Sequence, residues 1–176
     1  RARVAIPGFL TSATLLLRLY APDLPRGQMV PMLFDKILGA VETGEVDAGL
    51  IIHESRFTYE RHGLVEHEDL GRWWEDEHGH PIPLGGILAH HRLGAERIEE
   101  VDAALRRSVE LAREDPTRSR DFVREHAQEL EDEVTAAHIG LYVNDFTVDL
   151  GDEGHAAVDY LLAQADARGL FEERPQ

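Results

Sequence analysis

Apolar positions along the chain follow two different spacings, and the switch between them sets the expected architecture. Val4 to Pro7 is a short apolar run closed by Gly8, which reads as a buried strand. In TSATLLLRLY, Leu15, Leu16, Leu19 and Tyr20 recur at helical spacing, so a helix is expected with Thr11 or Ser12 as its N-cap. Pro22 and Pro25 end that helix. Gln28 to Met32 is a weaker strand candidate. Phe34 to Thr43 places Ile37, Leu38 and Val41 on one helical face, and Gly44 stops it. Ala48 to Ile52 then reads as a third strand. Strand, helix, strand, helix, strand in this order predicts a small α/β sheet.

The pattern then changes. Phe57 to His62 suits a turn of helix, Leu64 to His67 a strand, and LGRWWEDEHG a short helix in which one tryptophan packs and its neighbour is partly exposed. Pro81 and Pro83 mark a linker, and Leu84 to His90 reads as one more apolar strand. From Ala95 onward the spacing is helical: Ile98, Val101, Leu105, Val109 and Ala112 form one face until Pro116 breaks it. Further helices are expected over Arg118 to Gln128, Glu131 to Val143 and Gly154 to Arg168, the last closed by Gly169. The chain therefore divides into residues 1–82, an α/β lobe, and residues 83–176, a returning strand followed by a helical part.

Composition narrows the function. The 18 Lys and Arg stand against 34 Asp and Glu, a net charge of −16 that repels phosphate backbones and anionic lipid. Nucleic acid and membrane are not expected partners. Without cysteine there is neither a disulfide framework nor a thiolate nucleophile or ligand. No apolar run approaches the ~20 residues that cross a bilayer, and no export signal is evident, so a cytoplasmic protein is expected. Lys36 is the single lysine; anion sites must rely on arginine or on backbone amides.

Two stretches carry candidate chemistry. PGFLTSATLLL sets Gly8, Thr11, Ser12 and Ala13 between a strand and a helix start, where open amides, the helix dipole and hydroxyls can hold an anion. An ordinary Ser/Thr cap is the plainer reading of the same residues. DAGLIIHESRF ends a strand on His53, at the end where open α/β sheets bind ligands. Imidazole suits a general base near neutral pH. Glu54 could orient it, although on a strand the two would point to opposite faces, and Arg56 could hold a carboxylate through its planar fork. A loop of solvated charges is the alternative. His62, His67, His78, His80, His90 and His91 lack metal-site spacing and read as surface histidines.

Together, VAIPGFLTSATLLLRLYAP, FDKILGAVETGEVDAGLIIHESRFTY, DLGRWWEDEHGHPIPLGGILAHH, EHAQEL and HIGLYVNDFTVDLG resemble the 1,4-dihydroxy-6-naphthoate synthase family, from Arg3 to about Arg168. The sister enzyme chorismate dehydratase is less similar at LIIHESRFTY and at the WWE–PLG segment. The resemblance implies a two-lobed, type II periplasmic-binding-protein-like fold used as an enzyme, here one α/β lobe plus a helical C-terminal part of the other. It implies a lyase of the futalosine route to menaquinone. The substrate is then cyclic dehypoxanthinyl futalosine, a small-molecule aromatic carboxylate whose sugar-derived fragment leaves after a base removes a proton. The family's base falls on His53 and its ligand contacts on Thr11, Ser12 and Ala13, with no metal or organic cofactor. Family members carry roughly 90–100 further residues ahead of the PGFLT block, a small domain's length, so the chain is expected to belong to a longer protein. A non-catalytic solute-binding module of the same fold is the alternative outside enzymology.

Overall fold

The computed structural model describes residues 2–126 and 132–171, apart from the side chains of His53, Glu54 and Asp132. The chain forms two compact units, one of residues 1–84 and 155–176, the other of residues 85–154.

The first unit is built on a three-stranded parallel sheet in the order β2-β1-β3, with β1 Val4–Ile6, β2 Met29–Pro31 and β3 Ala48–Gly49. Val4 pairs with Met29 on one side and with Ala48 on the other. Helix α1, Ser12–Tyr20, connects β1 to β2, and α2, Phe34–Glu42, connects β2 to β3. The α2 periodicity delivers Ile37, Leu38 and Ala40 into the interior, where Ile37 and Ala40 meet Ala5 and Val46. Gly44, at φ +71°, ends the helix as expected from sequence. Helix α3, Leu70–His78, closes on Gly79 at φ +69°. It brings Trp74 against Leu16 and Leu19 of α1 and Leu161 of the C-terminal helix. Trp74 is fully buried and Trp73 only partly, as the adjacent pair predicts.

Close contact between β3 and α2 requires a glycine. A Cβ on Gly49 would overlap Ile37 Cγ2 and lie 3.0 Å from Val41 Cγ2. Gly49→Ala is therefore expected to lower stability by roughly 1–3 kcal/mol through overpacking, read as a lower urea midpoint with unchanged slope.

In the second unit lie α4 Ala95–Glu114, α5 Arg120–His126, α6 Asp132–Tyr142 and the short α7 Asp145–Val148. Helix α8, Gly151–Ala167, begins here, and from His155 it belongs to the first unit. Pro116 separates α4 from α5 through a 3-10 turn, Pro116–Ser119. Ion pairs Arg106–Asp149 at 2.9 Å and Arg113–Asp145 at 2.7 Å tie α4 to α7 and the residue after it.

Three strand expectations are corrected. Leu84–His90 forms no strand: Ile87 and Leu88 are exposed, and a strand needs a neighbouring backbone, which these residues lack among the described ones. Leu64–His67 is likewise irregular, with Val65 exposed. The third strand is shorter than its apolar run. Only Ala48–Gly49 is regular, and the ladder ends where the Leu50 amide donates to the Ala5 carbonyl at 2.8 Å.

Candidate functional site at the carboxyl ends of β1 and β3

Strand order 2-1-3 places a switch point between β1 and β3: the chain leaves β1 toward β2 and returns, after α2, on β1's other side. Ligands of open parallel sheets bind in the crevice outside the strand ends at such a point. Gly8–Ser12 and Ile52–His53 leave the sheet there, from two neighbouring strands.

The loop after β1 is fixed by hydroxyls. Gly8 has φ +143°, a conformation that side-chain-bearing residues rarely adopt. Its carbonyl accepts from Thr14 Oγ1 at 2.7 Å and from Thr11 Oγ1 at 3.0 Å. Thr11 is the N-cap of α1, its oxygen accepting the Thr14 amide at 3.2 Å. Thr14 is fully buried. The amides of Ser12 and Ala13 precede the first intrahelical bond and have no acceptor among the described residues. The Ser12 hydroxyl donates to the Leu84 carbonyl at 3.0 Å. Of the three sequence candidates here, Thr11 shapes the loop, whereas Ser12 and Ala13 present donors.

Thr14 was not singled out from sequence, although a threonine three residues after the cap residue is its visible sign. Thr14→Val keeps the shape but strips the hydroxyl from a buried carbonyl contact. It is expected to cost about 1–2 kcal/mol, measured by chemical denaturation, since Val fills the same space without the bond. Gly8→Ala is expected to cost a similar amount from backbone strain, of order 1–3 kcal/mol.

His53 opens a 3-10 turn, His53–Phe57, rather than prolonging the strand. The opposite-face relation expected of His53 and Glu54 concerns their side chains. Their side chains lie outside the described residues. Arg56 pairs with Asp69, Nη2 to Oδ2 at 3.0 Å, with the carboxylate mostly buried. Asp69 also caps α3, its other oxygen accepting the amides of Gly71 at 2.9 Å and Arg72 at 3.2 Å. One carboxylate thus joins the turn after β3 to the start of α3. Its position just before LGRWW is the cap signature that locates it. Nearby Tyr59 has a hydroxyl pKa raised above the usual phenol value, by desolvation first and then by Glu66 and Glu60, so it stays neutral at pH 7.

The histidines have other work. His62 contacts Glu42 at 2.8 Å, His78 contacts the Tyr160 hydroxyl at 3.2 Å, and the His80 ring lies 4.5 Å from the Tyr160 ring. His90 accepts the Arg92 amide at 3.1 Å. Among the described residues no three His, Asp or Glu side chains converge as a metal site would require, and no helix is long and apolar enough to cross a membrane.

A sequence profile of the family described as Menaquinone biosynthesis matches residues 1–167. The chain belongs to this family. It is 52% identical over 174 residues to the 1,4-dihydroxy-6-naphthoate synthase of Thermus thermophilus, covering 99% of this chain and 63% of that one. It is 50% identical over 170 residues to the enzyme of the same name from Streptomyces coelicolor, covering 95% and 60%. The chain thus spans about three fifths of the length of these curated relatives. A crystal structure of an Archaeoglobus fulgidus protein superposes with a TM-score of 0.86 at 36% identity, covering 97% of this chain and 63% of that one.

Proposed function

We propose that the chain carries the base-bearing part of a 1,4-dihydroxy-6-naphthoate synthase, a lyase of menaquinone biosynthesis acting in the cytoplasm. One observation supports this reading most. Adjacent parallel strands deliver the Ser12 and Ala13 amides and the His53 backbone to the same end of the sheet. The substrate in this reading is cyclic dehypoxanthinyl futalosine. Its carboxylate takes the place of a missing acceptor at the start of α1, where the helix dipole favours negative charge. His53 removes a proton, the sugar-derived fragment departs with the electron pair of the bond that breaks, and the ring system becomes the dihydroxynaphthoate. Arg56 uses one side of its fork on Asp69 and keeps further N–H donors for the ligand. A type II periplasmic-binding-protein-like architecture is part of the proposal.

Names of the two curated relatives favour this reading over chorismate dehydratase and over a solute-binding module. The test is incubation of the protein, at the full length of its relatives, with the cyclic futalosine derivative. Appearance of the dihydroxynaphthoate is expected; substrate recovered unchanged by a folded protein overturns the reading.

Ser12 offers a second handle. Ser12→Asp places a negative charge where the substrate carboxylate would sit, and substrate affinity is expected to fall at least about tenfold, the scale of an uncompensated charge-assisted bond. The helical circular dichroism is expected to be retained, because aspartate is accepted in a helix's first turn. Unchanged affinity removes Ser12 from the site.

A further inference from the structure

The turn that His53 opens has little backbone support from the sheet. The Leu50 amide donates to the Ala5 carbonyl at 2.8 Å, and among the described residues no ladder bond follows it before the 3-10 turn His53–Phe57. Bonds at the turn are local. The Thr58 amide donates to the Ser55 carbonyl at 3.2 Å, and the Arg56 guanidinium lies 5.8 Å from the centre of the Phe57 ring. Local bonds shape a turn but do not fix where it stands in the fold. Among the described side chains, one hydrogen bond leaves the turn for a distant part of the chain, from Arg56 Nη2 to Asp69 Oδ2 at 3.0 Å.

Capping explains only one oxygen of Asp69. Its Oδ1 accepts the Gly71 amide at 2.9 Å and the Arg72 amide at 3.2 Å, a role that serine, threonine or asparagine also fills. What a carboxylate adds is a second charged oxygen, and that oxygen meets Arg56. The Asp69 side chain is 17% exposed, against 57% for Glu100 in the pair with Arg97, so the Arg56 pair is the less screened of the two. Asp69 is itself held in place. It starts α3, and α3 carries the fully buried Trp74 against Leu16 and Leu19 of α1. Helix α1 in turn begins with the open Ser12 and Ala13 amides. Both parts of the candidate site therefore refer to one packed pair of helices.

We propose that Asp69 is a positioning residue, which through Arg56 holds the His53 turn in a fixed place relative to the start of α1. The inference rests on the reading of His53 as the base. Proton transfer requires heavy atoms within hydrogen-bond reach, and a displacement of about 1 Å can cost on the order of 10²-fold in rate. A turn that follows a two-residue strand gains such precision from packed elements beside it. Asp69 supplies that link with one oxygen on the helix and one on the turn.

The experiment is a double-mutant cycle of Asp69→Asn and Arg56→Gln in the protein at the full length of its relatives. It is read on turnover of the cyclic futalosine derivative and, separately, on amide hydrogen exchange. Asparagine keeps the cap and removes the charge. Asp69→Asn is expected to lower kcat by about 10- to 100-fold and to change KM by less than about threefold. In the Arg56→Gln background the same substitution is expected to change kcat by less than about twofold, because the pair acts as a unit. A helix cap alone shows no such dependence on Arg56. The Thr58 amide is expected to exchange at least about threefold faster in Asp69→Asn, a readout that needs no substrate. With an active wild type, an Asp69→Asn kcat within about twofold of it overturns the proposal, as does a fall that persists undiminished in the Arg56→Gln background. Unchanged Thr58 exchange overturns it as well. Absence of turnover in the folded wild type is instead the failure of the reading; the role of Asp69 in that reaction falls with it, and Thr58 exchange alone then decides the tether.

Discussion

Trp74→Ala is expected to destabilise the first unit by about 3–5 kcal/mol, the range for emptying a large buried side chain. The indole is fully buried and sits among Leu16, Leu19 and Leu161, so three helices lose a common contact. Its ring lies 4.2 Å from the His78 ring and 5.9 Å from that of Tyr160, centre to centre. Trp74→Phe is expected to cost distinctly less. It leaves a smaller cavity, and it also removes an indole N–H that is buried without a hydrogen-bond partner. Urea unfolding followed by far-ultraviolet circular dichroism gives both values, and a Trp74→Ala cost below about 1 kcal/mol would show that the three helices do not rely on this contact.

The same substitution reaches toward the candidate site through Asp69. Trp74 anchors α3, α3 begins at the Asp69 cap, and Asp69 holds Arg56 in the turn that His53 opens. Asp69→Ala removes both the cap and the ion pair and is expected to cost about 1–3 kcal/mol. Asp69→Asn keeps the cap and is expected to cost less than half of that. Should the two variants be equally stable, the carboxylate's link to Arg56 contributes more than its cap.

What could be read in the sequence follows from which interactions are local. Thr11 as a cap, the α1 and α2 faces and the glycine stop at Gly44 depend on residues within a turn or two, and all appear where spacing places them. The sheet was legible as an alternation of strand and helix, but its order, with β1 between the other two, needed the structure. Strand length was not legible. Leu50 to Ile52 continue the apolar run of β3 without a regular ladder, because hydropathy reports burial and not the partner that pairing requires. Leu84 to His90 fails for the same reason. At the site, Thr11, Ser12 and Ala13 were visible as a cap with open amides, while the bond from Ser12 to the Leu84 carbonyl spans seventy-two positions and has no local sign. Arg56 was visible as an anion ligand; that a carboxylate of this chain already engages it was not.

His53→Asn, in a protein of the relatives' full length, is expected to lower turnover by on the order of 10²–10⁴-fold, the usual worth of a positioned base. The proposed reaction needs a group that is unprotonated near neutral pH and then accepts a proton. At the strand ends the other candidates are committed. The Ser12 hydroxyl donates to a carbonyl, Arg56 is an ion-paired cation, and Tyr59 holds its proton more firmly than an ordinary phenol. The chain has no cysteine. His53 opens the turn that follows β3, the strand next to β1, and imidazole titrates in the required range. Asparagine preserves size and hydrogen bonding but cannot take up the proton, so substrate affinity is expected to change by less than about tenfold while turnover collapses. Glu54→Gln is expected to be milder, since a neighbour that only orients the imidazole stays one step from the proton. Near-normal turnover in His53→Asn would leave the family assignment intact and move the base elsewhere. A loss of affinity as large as the loss of turnover would instead make His53 a binding group.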